Sequence, residues 1–355
     1  MKKHGKKNRH GTLRLLLLAV YSVLLVKHSE QIADGVRGAL VRCLDVMIPS
    51  LFAFLAAADM LVRDGAYITL SRPLLPLSRL MGLPDDLGAV FLISNAAGYP
   101  TGAAAITALH ASGRLGGADA SRLLCFCCNG GPAFFAGAVG TAVFGSAKAG
   151  LVVWLTVLAA NILTGAVLCR IFPIKLKAPA EESEDVPAGS LLTEGVAAAG
   201  RSMAGICGMI LLFSTFLTLA REYLSRSGLG EGVERALAAF LEVSELSALR
   251  GSFVRLFPVV CAAGAFGGVC VILQISAIVG GRFSLLPFVC ARAVCACVCA
   301  AAALPISRLL AEEAVPAAVS TMPAVSADRL FPSLCLAAMI VLTLASVKRT
   351  GGDLS

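Results

Sequence analysis

The chain has 355 residues, of which 57% are hydrophobic and only 15% charged, and its mean hydropathy is +0.84. That composition excludes an ordinary water-soluble globule and predicts an all-α polytopic membrane protein with one membrane domain. The formal charge of +8 does not indicate a nucleic-acid partner, because Lys2, Lys3, Lys6, Lys7, Arg9 and Arg14 crowd ahead of an apolar run and no RNA- or DNA-binding motif follows.

That first run, Leu15 to Val26, is short enough to resemble a signal-peptide core, but no A-x-A-like site follows it. A retained first helix with a cytoplasmic N-terminus is the expectation, and residues 1–42 form the tail and that helix. Further uncharged runs cover Val46 to Ala58, Leu87 to Gly113, Leu123 to Ala147, Ala149 to Cys169, Ser202 to Ala220, Leu256 to Gly281, Ala293 to Ser307 and Leu330 to Val347. Several reach the roughly twenty residues a spanning helix needs. Val46 to Ala58 is shorter, and either draws on its flanks or re-enters the membrane. A polar linker, 173–192, carries Lys175, Lys177 and the acidic run Glu181 to Asp185.

Helix breakers interrupt two of the most apolar stretches. Asn95, Gly98, Tyr99, Pro100 and Gly102 break one, and Asn129, Gly130, Gly131 and Pro132 break the next. In hydrocarbon every unpaired backbone N–H or C=O costs several kcal/mol, so such breaks survive only where protein or a wet cavity satisfies them. Discontinuous helices around a substrate site are therefore predicted.

Divided at the linker, the chain shows two related halves, 43–172 and 193–347, with a short tail at 348–355. Val46 to Met60 answers to Gly205 to Ala220, Asn95 to Gly102 to Cys261 to Gln274, and Arg122 to Pro132 to Leu286 to Ala296. Paired interrupted segments in two halves point to a secondary transporter built from inverted repeats with re-entrant or discontinuous helices. Arg170, Lys175 and Lys177 put the linker on the cytoplasmic side. For the C-terminus, Lys348 and Arg349 point inside, whereas an odd second repeat ends outside.

The thirteen cysteines include C-x-C-C at Cys125, Cys127 and Cys128 and a cluster at Cys290, Cys295, Cys297 and Cys299. They lie in apolar runs without the two spaced pairs of a structural zinc site, so they read as small packing residues, and no metal or cofactor is expected.

Four segments carry a resemblance: IPSLFAF at Ile48 to Phe54, GYPTGA at Gly98 to Ala103, the run from Arg122 to Gly140, and LEVSELSAL at Leu241 to Leu249. In order and spacing they resemble the sporulation integral membrane proteins of the YlbJ type, in the nucleoside-recognition Gate family, which is similar in architecture to concentrative nucleoside transporters. The resemblance covers about Arg42 to Leu309. It implies a multi-pass protein of the bacterial cell membrane, placed in the outer forespore membrane during sporulation. The implied function is movement of a small solute toward the spore, with dipicolinate as substrate.

The physics of an anionic or polar ligand selects candidate contacts. Pro100 and Pro132 suit the first turn of a helix, so new half-helices start there and aim free N–H groups and positive dipole ends at one spot. Asn95, Tyr99, Thr101 and Asn129 flank those breaks, with Gly98, Gly102 and Gly131 shaping the backbone. They bind ligand or merely cap the broken ends. Gln274, after Gly267 and Gly268, enters the cavity from the second half or makes an interhelical hydrogen bond. Arg292 is a lone charge in apolar sequence. It either holds a substrate carboxylate or pairs structurally with Glu242, which stands with Ser244 at the mouth of the second half's hairpin; snorkelling to the interface is the third reading. Asp45 and Asp59 are proton carriers or helix-end residues, and His110 is interfacial.

An enzyme is disfavoured: H-E-x-x-H, G-x-S-x-G and Walker A patterns are all missing, and the last of these also removes self-powered transport. A non-transporting membrane scaffold for spore maturation and a nucleoside-type carrier stand as alternatives. The partners expected are a small solute and the bilayer, with a homo-oligomer left open.

Overall fold

The structure, a computed structural model, describes residues 4–177, 188–226 and 231–314. Among them the secondary structure is helical apart from one isolated bridge between Leu115 and Leu176. The apolar run at 330–347, the acidic run of the linker and the C-terminal basic pair lie outside the described residues.

Helix α1 (His4–Lys27) leads into α2 (Ser29–Arg42), a π-helical turn at Cys43–Met47 and α3 (Ile48–Arg63), with right-handed helical backbone throughout the α2–α3 passage. The π turn has a local cause. Pro49 has no N–H, and its ring collides with the carbonyl four residues back in a regular helix. A wider turn just before it relieves that clash without ending the rod. Val46 to Ala58 thus lies within a helical run that continues into both flanks.

Short helices α4 (Ala66–Ser71) and α5 (Leu75–Met81) follow, then α6 (Gly88–Ala96) and α7 (Tyr99–Ala111), separated by a sharp break. After α8 (Gly117–Leu124) the chain breaks again and resumes through a π-helical stretch, Phe134–Gly140, into α9 (Thr141–Phe144) and α10 (Ala147–Ile171). The second half brings α11 (Ala188–Arg226), α12 (Glu231–Leu241), a 3-10 segment at Val243–Ala248, α13 (Phe253–Phe266), α14 (Gly268–Val279) and α15 (Leu286–Ala314).

Four stretches among the described residues are long and apolar enough to cross a membrane: Ala147–Ile171, Gly189–Tyr223, Phe253–Val279 and Leu286–Ala311. The third reaches that length only by joining α13 and α14 across Gly267. Exposed Leu155, Leu163, Val167, Phe216, Val294 and Leu304 on such helices are what lipid-facing surfaces require.

The interior has two parts. The larger is built on α6–α10 and α13–α15, with Phe91, Ile106, Phe126, Phe135, Phe257 and Phe288 fully enclosed. The smaller lies where α2, α3, α11 and α14 meet, around Leu55, Ile206 and Cys270. An ion-pair chain ties that seam, because Arg63 Nε reaches Asp59 at 2.5 Å and its Nη1 reaches Glu194 of α11 at 2.8 Å. Asp59 is thereby paired, and Asp45 is exposed on the π turn.

The third correspondence between the halves does not hold in local structure. Arg122 to Pro132 ends a helix and breaks, whereas Leu286 to Ala296 lies inside uninterrupted α15. The reason is chemical: the first segment ends in Asn-Gly-Gly-Pro, and the second carries its one proline at position 287, at the helix start.

Candidate functional site

The first break is set by Gly98, at φ +106° and ψ 158°, a conformation closed to residues with a Cβ. It turns the chain out of α6, and Pro100 then sits in the first turn of α7 as expected. The second break runs from Cys125 to Gly131, with helix resuming at Pro132. The third is the pair Gly267 and Gly268, both left-handed at φ +85° and +84°, between α13 and α14.

These breaks converge. A Cβ on Gly131 would stand 2.7 Å from the Ala96 carbonyl oxygen, so the second break lies on the end of α6. The Tyr99 ring lies between the other two: a Cβ on Gly130 would come within 2.9 Å of it, and one on Gly267 within 3.3 Å. Its hydroxyl donates to the Gly264 carbonyl at 2.8 Å, satisfying one of the free carbonyls at the end of α13. Tyr99 is thus a bolt between the halves, with its polar end already occupied.

A buried polar network links the same elements. Asn95 Nδ2 donates to the Phe91 and Phe126 carbonyls at 2.9 and 3.2 Å. Asn161, from α10, donates to Asn95 Oδ1 at 2.7 Å and to the Cys128 carbonyl at 3.2 Å. The Arg292 guanidinium donates through Nη1 to Asn161 Oδ1 at 2.8 Å and through Nη2 to the Ala265 carbonyl. Trp154 Nε1 donates to the Asn95 carbonyl at 3.0 Å. The Thr101 hydroxyl turns back onto Ala97. So Asn95, Tyr99 and Thr101, candidates for ligand contact, hold the broken backbone together.

Asn161 is the hub that the sequence reading missed. Its signal was available: a single amide in the uncharged run Ala149 to Cys169 is costly in hydrocarbon when unpaired, though less so than the charge of Arg292, and it too needs partners.

Two members of the centre are incompletely satisfied. Asn129 is 0% exposed, and neither its Oδ1 nor its Nδ2 has a hydrogen-bond partner. Arg292 is also 0% exposed, its Nε has no partner, and no carboxylate pairs with it among the described residues. Asn129 adjoins Cys128, whose carbonyl shares Asn161 with Arg292. The centre therefore holds a desolvated cation with which no carboxylate among the described residues pairs and, one residue along from the Cys128 carbonyl, an amide whose donors and acceptor are free. Leaving such groups unpaired costs about 1–3 kcal/mol for a neutral one and more for a charged one.

Removing Asn129 deletes no hydrogen bond within the protein, whereas removing Asn161 orphans Asn95 Oδ1, the Cys128 carbonyl and Arg292 Nη1. Asn129→Ala is expected to change stability by less than about 1 kcal/mol, and Asn161→Ala to lower it by at least about 3 kcal/mol. Thermal melts of the two variants in detergent, compared with the parent, check this.

The remaining candidates stand apart. Arg292 does not meet Glu242: Glu242 accepts from Ser244 Oγ at 3.0 Å, while the arginine faces Asn161 and the end of α13. A residue at the mouth of the 3-10 segment is held to the outer side of the Gly267–Gly268 turn, where a Cβ on Gly268 would lie 3.1 Å from the Leu241 carbonyl oxygen and Val243 N. Nor does Arg292 snorkel, being wholly enclosed. Gln274 is buried and donates to Cys270 Sγ at 3.3 Å. Gly102 packs on the Cys127 carbonyl. His110 Nδ1 meets the Leu115 carbonyl at 2.8 Å. The twelve described cysteines are free thiols, nine of them buried, and no group of His, Cys, Asp or Glu among the described residues is placed to hold a metal ion.

No protein family, characterised protein or solved structure matches the chain at a significant level. Fold and centre together define the class: an all-α chain of membrane-spanning character whose three helix breaks meet at one buried, incompletely satisfied polar centre.

Proposed function

We propose that the chain is a membrane carrier for a small anionic solute, dipicolinate being the first candidate, and that the solute binds where the three breaks meet. The observation that carries the reading is Asn129, fully buried at a helix break with both polar ends unpartnered, next along the chain to Cys128, whose carbonyl shares Asn161 with Arg292. In this reading Asn129 and Arg292 Nε contact the solute. Tyr99, Asn95 and Asn161 keep the broken ends in place.

The inverted-repeat architecture belongs to the proposal as well. Its support is pairwise packing: α3 lies on α11 and α7 on α14, while α3 with α7 and α11 with α14 make equivalent pairs in the two halves. The site falls at the junction of those halves, where alternating access by rocking of one half on the other would expose it to each side in turn. Placement in the membrane around the developing spore follows the sequence resemblance.

The test is uptake of labelled dipicolinate and labelled uridine into proteoliposomes holding the purified protein. Saturable dipicolinate uptake, reduced at least tenfold in folded Asn129→Ala, is the expected result. Uptake of uridine alone would make the protein a nucleoside-type carrier, and no flux of either by folded protein would leave the scaffold as the better account.

A further inference from the structure

Glu242 is 9% exposed, yet none of the ion pairs among the described residues includes it. Its hydrogen-bond donor among the described residues is weak and neutral, the Ser244 hydroxyl at 3.0 Å, and the Cys270 thiol lies close to it. The titratable groups that face it are few. Cys270 comes from α14, and Cys43 from the π turn, with Arg42 and Cys207 beyond Cys43. On its own segment Glu245 is neutralised by Arg221 at 2.5 Å, and Arg250 and Arg255, where α13 begins, are exposed. The two aspartates that the sequence offered as proton carriers are disposed of differently, Asp59 being paired with Arg63 and Asp45 exposed.

We propose that Glu242 is the proton-coupling site of the carrier, an inference that rests on the transport reading above. Its carboxylate takes a proton from hydronium on one side, becoming a neutral acid and leaving water, and returns that proton to water on the other side; no other bond changes. Position supplies the link to the solute. Glu242 lies against the Gly267–Gly268 turn, and the last turn of α13 leading into it holds Tyr99 through Gly264 and Arg292 through Ala265. Charge supplies the reason. A dianion at the single cation Arg292 leaves one negative charge uncompensated, and an ionised Glu242 adds another; protonation removes the second.

The test uses proteoliposomes with entrapped pyranine, an imposed pH gradient and labelled dipicolinate. The parent is expected to accumulate label above equilibrium while protons enter with it. Glu242→Gln is expected to keep exchange of labelled for unlabelled dipicolinate and to lose proton entry and gradient-driven accumulation at least tenfold. Should Glu242→Gln not fold, dicyclohexylcarbodiimide treatment of the parent reads the same point, the expected result being a single adduct at Glu242 with loss of proton entry. Accumulation and proton entry that persist in Glu242→Gln, or survive that adduct, would overturn the proposal alone. So would parent protein that exchanges label without moving protons. Absence of exchange by the parent would overturn the carrier reading and this one with it.

Discussion

Arg292→Met is expected to abolish dipicolinate uptake, by at least a hundredfold, in a protein that still folds. The two halves of that expectation rest on different quantities. Losing the guanidinium forfeits its hydrogen bonds to Asn161 and the Ala265 carbonyl, each about 1.5–3 kcal/mol for a charged donor. It also removes the cost of holding a charge at membrane depth, about 2.5–3.5 kcal/mol on insertion scales. The second offsets only part of the first, two such bonds coming to about 3–6 kcal/mol, while methionine fills the space of the aliphatic stem; the melting temperature in detergent should fall, but the protein should still fold. The proposed anion site has no such offset, because Arg292 is the one cation among the described residues assigned to it. A melting curve beside an uptake curve separates the outcomes; equal loss of both would make Arg292 a structural residue only.

Gly102→Ala is expected to destabilise the protein by at least about 3 kcal/mol, beyond the usual range for overpacking, because the obstacle is backbone. The new methyl would overlap the Cys127 carbonyl oxygen and come within 2.8 Å of Ser94 Cβ. Neither can retreat: Cys127 belongs to the second break, and Ser94 is fixed by its hydroxyl to the Val90 carbonyl at 2.6 Å. Gly208→Ala, in α11 with open space around it, is the control and should cost nothing. Chemical unfolding of the two variants in mixed micelles distinguishes a steric effect from a general intolerance of alanine.

The breaks were legible in the sequence because glycine and proline act locally: Gly98 with Pro100, Gly131 with Pro132, and Gly267 with Gly268 each announce a turn wherever the rest of the chain goes. Partners were not legible. Arg292, a lone charge in apolar sequence, needs one, but its amide partner lies 131 positions away, and no local pattern encodes that pairing, so from sequence Glu242 is offered only by its charge, beside the substrate and interface readings. For the same reason Asn95 and Thr101 looked like ligand contacts: a side-chain donor near a break has the same sequence signature whether it turns inward to a carbonyl or outward to a solute. The mismatch at Leu286 to Ala296 has another origin. Apolar, cysteine-rich pattern matched there, but pattern without the Gly-Gly-Pro punctuation carries no information about where a helix stops.

The indole of Trp154 donates to the carbonyl of Asn95, at the end of α6, and the chain has one tryptophan. Nature has thus left a single fluorophore on the first break, with no second indole to dilute its signal. In micelles or proteoliposomes of the purified protein, its emission maximum and quenching should report a rearrangement at the first break in real time, including one caused by the proposed solute at Asn129, without label or mutation.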